Sequence, residues 1–207
     1  MNTKEMIVES ARLLFNELGS TNVSTKLIAS QMGISPGNLY YHFHNKEEII
    51  RKIYDQISLA MDELFFDFSD GLFEEGIAKF YLKLIKIQKH YCFFYRELSI
   101  LVSNDAELRA TYRTRSERII SQFINIYDQW VMLKIMKPFK SCEERDTLAA
   151  NAWTLGQLWI THADILYDYI PSEVNYQEIL RVHALMRPYF TAKSNKKLER
   201  LLNKEWA

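Results

Sequence analysis

Residues that break helices are scarce in this chain. Its 207 residues include 6 Gly and 4 Pro, about 5% together, where ~12% is usual. Long periodic stretches lie between these few breakers, and the two features together point to an all-α protein. Cysteine is nearly absent: Cys92 and Cys142 make no disulfide framework, and no Cys/His spacing suits a metal. Neither a metal nor a cofactor is expected, and two reduced cysteines suit the cytoplasm. An excess of one charge is also missing, since 26 basic residues balance 26 acidic ones. That argues against a sequence-blind coat on nucleic acid. A long uncharged run, 147–163, contains Asn151, Thr154, Gln157, Thr161 and His162. It is too short and too polar for a membrane span of ~20 apolar residues. Lys4, Glu5 and Glu9 near the start do not make a signal-peptide layout. Enzyme signatures are lacking too. No Glu has His three residues on, as a helical di-iron site needs. There is no G-x-S-x-G elbow, phosphate-binding glycine loop or H-E-x-x-H. No catalytic residue is assigned.

What the chain does have is concentrated in residues 23–50, VSTKLIASQMGISPGNLYYHFHNKEEII. Ser24 is a good N-cap for a helix from Thr25, with Leu27, Ile28 and Met32 at helical spacing. Gly33 suits the left-handed stop, and Ile34 plugs the corner. Ser35 caps a second short helix, with Pro36 at its first position. Leu39 and Phe43, four apart, share a face and are expected in a small core. Gly37, Asn38, Tyr41 and His42 are then left facing outward, with Tyr40 at the boundary. Asn45 and Glu48 make a capping-box pattern for the next helix. Lys46 in its first turn opposes the helix dipole, which hints at a nearby anion. Two short helices with a tight turn are the layout that places its second helix in the DNA major groove.

These residues resemble the DNA-binding domain of the TetR family of bacterial regulators. The likeness rests on Ile28-Ala29, Gly33-Ile34-Ser35, Leu39-Tyr40-Tyr41-His42-Phe43 and Asn45-Lys46-Glu47-Glu48. The preceding stretch with Ile7, Ala11, Leu14, Phe15 and Gly19 matches as well. The resemblance implies a helix-turn-helix head at 1–50 and a helical body at 51–207 for ligand binding and dimerisation. It implies a ligand-responsive homodimer, most simply a repressor, bound to a palindromic operator on double-stranded DNA. An architectural DNA-binding factor without a small-molecule effector is the alternative. In the head, Asn38 is the expected reader of a base edge. Tyr41 suits thymine methyls or phosphate, Gly37 lets the backbone approach, and Pro36 opens the reading helix. Thr25, Lys26, Tyr40, His42 and Lys46 are expected to clamp phosphates. Residues 1–52 carry six basic and five acidic side chains, so the positive field there is local.

Beyond the head, helices are expected over about 46–68, 72–89, 91–103, 105–136, 141–170, 173–191 and a last basic stretch. The helix after Ser141 carries two apolar stripes. One is Leu148, Ala152, Leu155, Trp159 and Leu166; the other is Ala149, Trp153, Gly156, Ile160 and Ala163. A helix apolar on two sides is buried on both. The second stripe, with Leu185 and Met186 of the next helix, is therefore the expected dimer face, where the family resemblance also places it. Aromatic rings crowd the body. Such rings are usually core, but the resemblance implies a small-molecule pocket among them. Its candidate lining is Phe66, Phe94, Tyr95, Phe123, Tyr127, Trp130 and Trp159, with Arg96 and His162 as polar anchors. Arg96 in the pocket would favour an anionic amphiphile; otherwise a neutral or cationic aromatic compound fits as well.

Overall fold

The computed structural model describes residues 2–70, 74–166 and 180–205. All regular structure among them is helical, apart from one isolated antiparallel bridge between Met136 and Phe190. In order these are α1 (Thr3–Leu18), α2 (Thr25–Gln31), α3 (Pro36–His42), α4 (Lys46–Asp70), α5 (Glu74–His90), α6 (Cys92–Arg96), α7 (Leu98–Asn104), α8 (Ala106–Met132) and α9 (Cys142–Leu166). Residues 180–186 are helical, and a terminal helix runs over Ala192–Glu205. The ends expected near 71, at 167–170 and at the start of the following helix lie outside the described residues.

The chain divides into two compact units. The first is Met1–Met61 with Ile87–Ala110. Its head is built on the apolar faces of α1 to α3, where Ile7, Ala11, Phe15, Ile28, Ala29, Leu39 and Phe43 are all buried. α1 begins with a full capping box between Asn2 and Glu5. Gly33 adopts φ +66°, and the Ile34 amide closes back on the Ala29 carbonyl at 3.0 Å. The same unit holds α6 and α7. The ring of Phe93 meets Phe15 at 5.0 Å, and Phe94 stacks on Tyr54 at 5.0 Å. The single helix expected at 91–103 is thus two, broken at Glu97 (φ −106°, ψ 9°). The Glu97 side chain is hydrogen-bonded to Ser20, 77 positions away. Local propensity carries no trace of such a distant capture. Asp105 caps α8, accepting the amides of Glu107 and Leu108 at 3.0 Å each and the Arg51 guanidinium at 2.7 Å.

The second unit is Asp62–Lys86 with Thr111–Ala207. Its core is a column of rings. Phe80 meets Phe65, Phe65 meets Phe123, and Phe123, Tyr127 and Trp130 follow at 5.9–6.1 Å. Phe190 and His183 extend it beyond Trp130. Edge-to-face and offset contacts of this kind add to the stabilisation from buried area. α8 ends four residues earlier than the expected 136. The amides of Ile135 and Met136 both turn back to the Trp130 carbonyl, and Lys134 takes φ +57°. The chain then pairs with the segment before the terminal helix, Lys137 donating to Tyr189 at 2.7 Å and Thr191 to Ile135 at 2.9 Å. Pro138 lies beyond this stop. At the other end of this unit Glu74, itself buried, accepts from Ser194 Oγ at 3.0 Å and Lys197 Nζ at 3.1 Å. Burial alone raises its pKa, but these bonds and its backbone amide outweigh burial and lower it overall.

Candidate nucleic-acid interface

The local chemistry of α2 and α3 leaves one side of each helix outside. Ser24 caps α2 by accepting the Leu27 amide at 3.2 Å, and Ser35 caps α3 by accepting the Asn38 amide at 3.1 Å. Pro36 opens α3, where its missing N–H leaves no hydrogen bond unmade. Leu39 faces inward and is 0% exposed, while Tyr41, two residues on, is 83% exposed. Pro36, Gly37 and Asn38 are exposed with it, as is Lys26 on α2. This alternation produces a solvent-facing row with an amide, a phenol and a bare backbone. From Val23 to Lys46 there is no acidic residue, so nothing on the row repels phosphate.

The flanking residues are held more tightly than their types alone suggest. The hydroxyls of Thr25 and Tyr40 lie 3.2 Å apart, tying the start of α2 to the middle of α3. His42 is half-buried and meets the Tyr41 ring edge-on at 5.1 Å. Lys46 is also half-buried, and its ammonium donates to the Ser20 carbonyl. This bond anchors the side chain expected to clamp phosphate. Lys4 adds a cation that sequence reading overlooked; its ammonium sits 5.2 Å from the centre of the Phe43 ring. Its only prior signal was its place in the first turn of α1.

The candidate pocket residues are divided between the two units. Phe94, Tyr95 and Arg96 belong to the first unit, and the other six belong to the second. Phe94 and Tyr95 are buried, but Arg96 is exposed, its guanidinium 3.5 Å from Cys92 Sγ. Phe66 is 70% exposed, and His162 is exposed, 3.5 Å from Arg181. Phe123, Tyr127 and Trp130 do come together, in the ring column, and Trp159 is buried. Burial holds the Tyr127 phenol protonated, and it donates to Met186 Sδ at 3.5 Å.

The candidate dimer face also splits. Ala149, Ile160, Ala163 and Met186 are buried within their own unit. Trp153, Gly156 and Leu185 are half-buried, and a Cβ placed on Gly156 meets nothing within 4 Å. The apolar residues that α9 leaves outside are Leu158, Ile165 and Leu166, with Ile165 77% exposed. Leu158 and Ile165 lie seven apart, on one side with Asn151, Thr154 and His162. The helix carries three apolar stripes, and the third was missed because polar residues interrupt it.

Comparison with known proteins agrees with the helical fold and its helix-turn-helix. Residues 7–53 match the family described as bacterial regulatory proteins, tetR family, and residues 49–198 match TetR, bacterial transcriptional repressor. The biofilm operon icaADBC negative transcriptional regulator IcaR of Staphylococcus epidermidis is 32% identical over 98 residues, 46% of this chain and 53% of IcaR. The chain thus spans about half the length of that relative. A TetR-family transcriptional regulator from Marinobacter aquaeolei VT8 superposes with a TM-score of 0.87 at 27% identity, covering 99% of this chain and 98% of that one. SmeT, solved as a triclosan complex, shares the fold at a TM-score of 0.67 and 14% identity, covering 92% of each chain. Among the described residues no helix is long and apolar enough to cross a membrane. The two family matches together span residues 7–198, and the chain belongs to the TetR family of DNA-binding transcriptional regulators, not to a family of enzymes.

Proposed function

We propose that this chain is a homodimeric repressor that reads a palindromic operator through α3 and releases it when a small apolar or amphipathic molecule binds the body. Residues 1–50 serve as the DNA-binding head and 51–207 as the ligand-binding and dimerisation part. The observation that carries the reading is the solvent-facing row Pro36, Gly37, Asn38 and Tyr41 on a helix whose other side, at Leu39, is fully covered. Asn38 offers the bidentate amide that pairs with adenine in the major groove. Lys26 and the Tyr40 hydroxyl flank it for phosphate contacts, which set register without reading sequence. Two heads related by a dimer axis require two half-sites related by the same axis. The exposed side of α9 with Leu158, Ile165 and Leu166 supplies the apolar seam for pairing, together with Leu185. For the effector, the ring column of Phe123, Tyr127 and Trp130 favours an uncharged apolar compound. Arg96 and His162 lie at the surface and offer no buried receptor for an anion. Triclosan, the ligand of SmeT, is a compound of that apolar kind. Release requires the effector to bind the DNA-free conformation more tightly than the DNA-bound one.

The test is selection of bound sequences from random duplex DNA by the purified protein at a stated near-physiological salt. Enrichment of one palindrome supports a dimeric, sequence-specific regulator. Weak binding without enrichment, steeply dependent on salt, refutes it.

A further inference from the structure

We propose that Glu97 is a positioning residue for DNA binding: its carboxylate latches the turn after α1 and, through Ser20, holds Lys46 in place at the start of α4. The proposal rests on the reading of α3 as the helix that contacts DNA. Glu97 stands at the break between α6 and α7, outside the helix-turn-helix, yet within the same compact unit. Its carboxylate accepts the Ser20 amide at 2.9 Å and 3.2 Å, one bond to each oxygen, and also the Ser20 hydroxyl. Ser20 is buried, and its carbonyl accepts from the Lys46 ammonium. All three polar groups of one buried serine are therefore engaged by two charged side chains of opposite sign. The turn is shaped for this approach. Gly19 takes φ +79°, and a Cβ there would sit 2.9 Å from Glu97 Oε1. A second set of bonds holds the other end of the same segment. Asn16 donates to the His90 carbonyl at 2.9 Å and accepts the Phe93 amide at 3.1 Å. Arg12, held by Glu9, donates to that same carbonyl at 2.7 Å. Segment 90–97 is thus bonded to α1 at one end and to the turn after α1 at the other, and Glu97 is the contact that continues to Lys46, three residues beyond Phe43.

The sign of one substitution separates this role from simple electrostatics. A carboxylate near a DNA-binding head repels phosphate, so its neutralisation should strengthen binding. The latch predicts the reverse. With the full chain and the duplex that the wild type enriches, Glu97→Gln should weaken specific binding about tenfold, the scale of one charge-assisted hydrogen bond. The slope of affinity against salt should not change, because no phosphate contact is lost. Glu97→Asp keeps the charge but shortens the reach, and it should weaken binding as well. Combined with Ser20→Ala, Glu97→Gln should cost less than the product of the separate factors. Amide exchange at Ser20 should quicken in Glu97→Gln while unfolding of the second unit stays at its wild-type midpoint. Unchanged or tighter binding by Glu97→Gln, or full additivity with Ser20→Ala, overturns the proposal. If the wild type enriches no duplex, the DNA reading fails and the positioning role falls with it. Quickened exchange at Ser20 alone then marks Glu97 as a fold contact only.

Discussion

Tyr41 and Leu39 share one turn of α3 and meet opposite fates. The Tyr41 ring is in solvent, so Tyr41→Ala should leave the thermal midpoint nearly unchanged, as surface substitutions shift stability by only ~0.5 kcal/mol. Under the proposed function it should lower specific operator affinity by ~1–3 kcal/mol in a binding titration on the selected duplex. Loss of binding together with loss of folding would mean instead that the ring supports the head. His183 is a different kind of residue. It is 4% exposed, neither ring nitrogen has a hydrogen-bond partner among the described residues, and the ring stacks on Phe190. Burial, helped by Arg187 and opposed by Glu199, lowers its pKa from 6.5. The unfolded chain therefore takes up a proton below pH 6.5 that the folded chain refuses, and stability should fall as pH drops from about 6.5 toward 5. His183→Phe should flatten that slope by as much as ~1.4 kcal/mol per pH unit in denaturant titrations at several pH values. His90, depressed by its own partial burial and by Arg12, keeps some slope in the variant. An unaltered pH profile would show that His183 takes up its proton equally in both states. At this scale residue type was legible and surroundings were not. From sequence Lys46 is expected as a phosphate contact and Arg96 as a pocket anchor, but the Lys46 ammonium is bonded to the carbonyl of a buried serine and Arg96 lies at the surface.

Among elements, the short ones were the most readable. Caps and stops set α2 and α3 by local chemistry, and Ser24, Gly33, Ser35 and Pro36 each do in the structure what their positions imply. Asn45 caps α4 by accepting the Glu48 amide at 2.8 Å, although the Glu48 carboxylate closes on the His44 amide instead of Asn45. The longer spans were less certain because their ends depend on distant partners. α6 and α7 separate where Glu97 is drawn to Ser20, and α8 ends where the chain turns to meet Tyr189 and Thr191. A seven-residue helix such as α3 is too short to be stable alone and depends on its docked face. Leu39→Ala should accordingly cost ~2–5 kcal/mol of head stability. Chemical denaturation followed at the head should show an early transition for this variant. A loss below ~1 kcal/mol would mean that the head core closes over the gap.

For the whole molecule, the proposed pairing needs an apolar surface that one chain leaves outside. Ile165 is exposed on α9, so Ile165→Glu should leave the fold of the protomer intact. If α9 forms the seam, the variant should sediment as a monomer at concentrations where the wild type is a dimer. Gly156→Trp is a second probe, since that position has open space within the protomer. A dimer unaffected by either change places the interface elsewhere. The stripe of Ala149, Ile160 and Ala163 is buried within its own unit, whereas the row that the proposed seam uses is mixed with Asn151, Thr154 and His162.

The sequence by itself determined the all-helical class, the position of the helix-turn-helix and the outward row of α3. Each of these depends on spacing within a few residues, on capping, periodicity and breakers, which any window of the chain contains. Tertiary structure alone decided which stripes of α9 are core, where the 91–103 span breaks, and that Lys46 is bonded to Ser20. These outcomes depend on groups far apart in sequence, such as Ser20 and Glu97, whose competition for burial and hydrogen bonds is settled only when the chain folds.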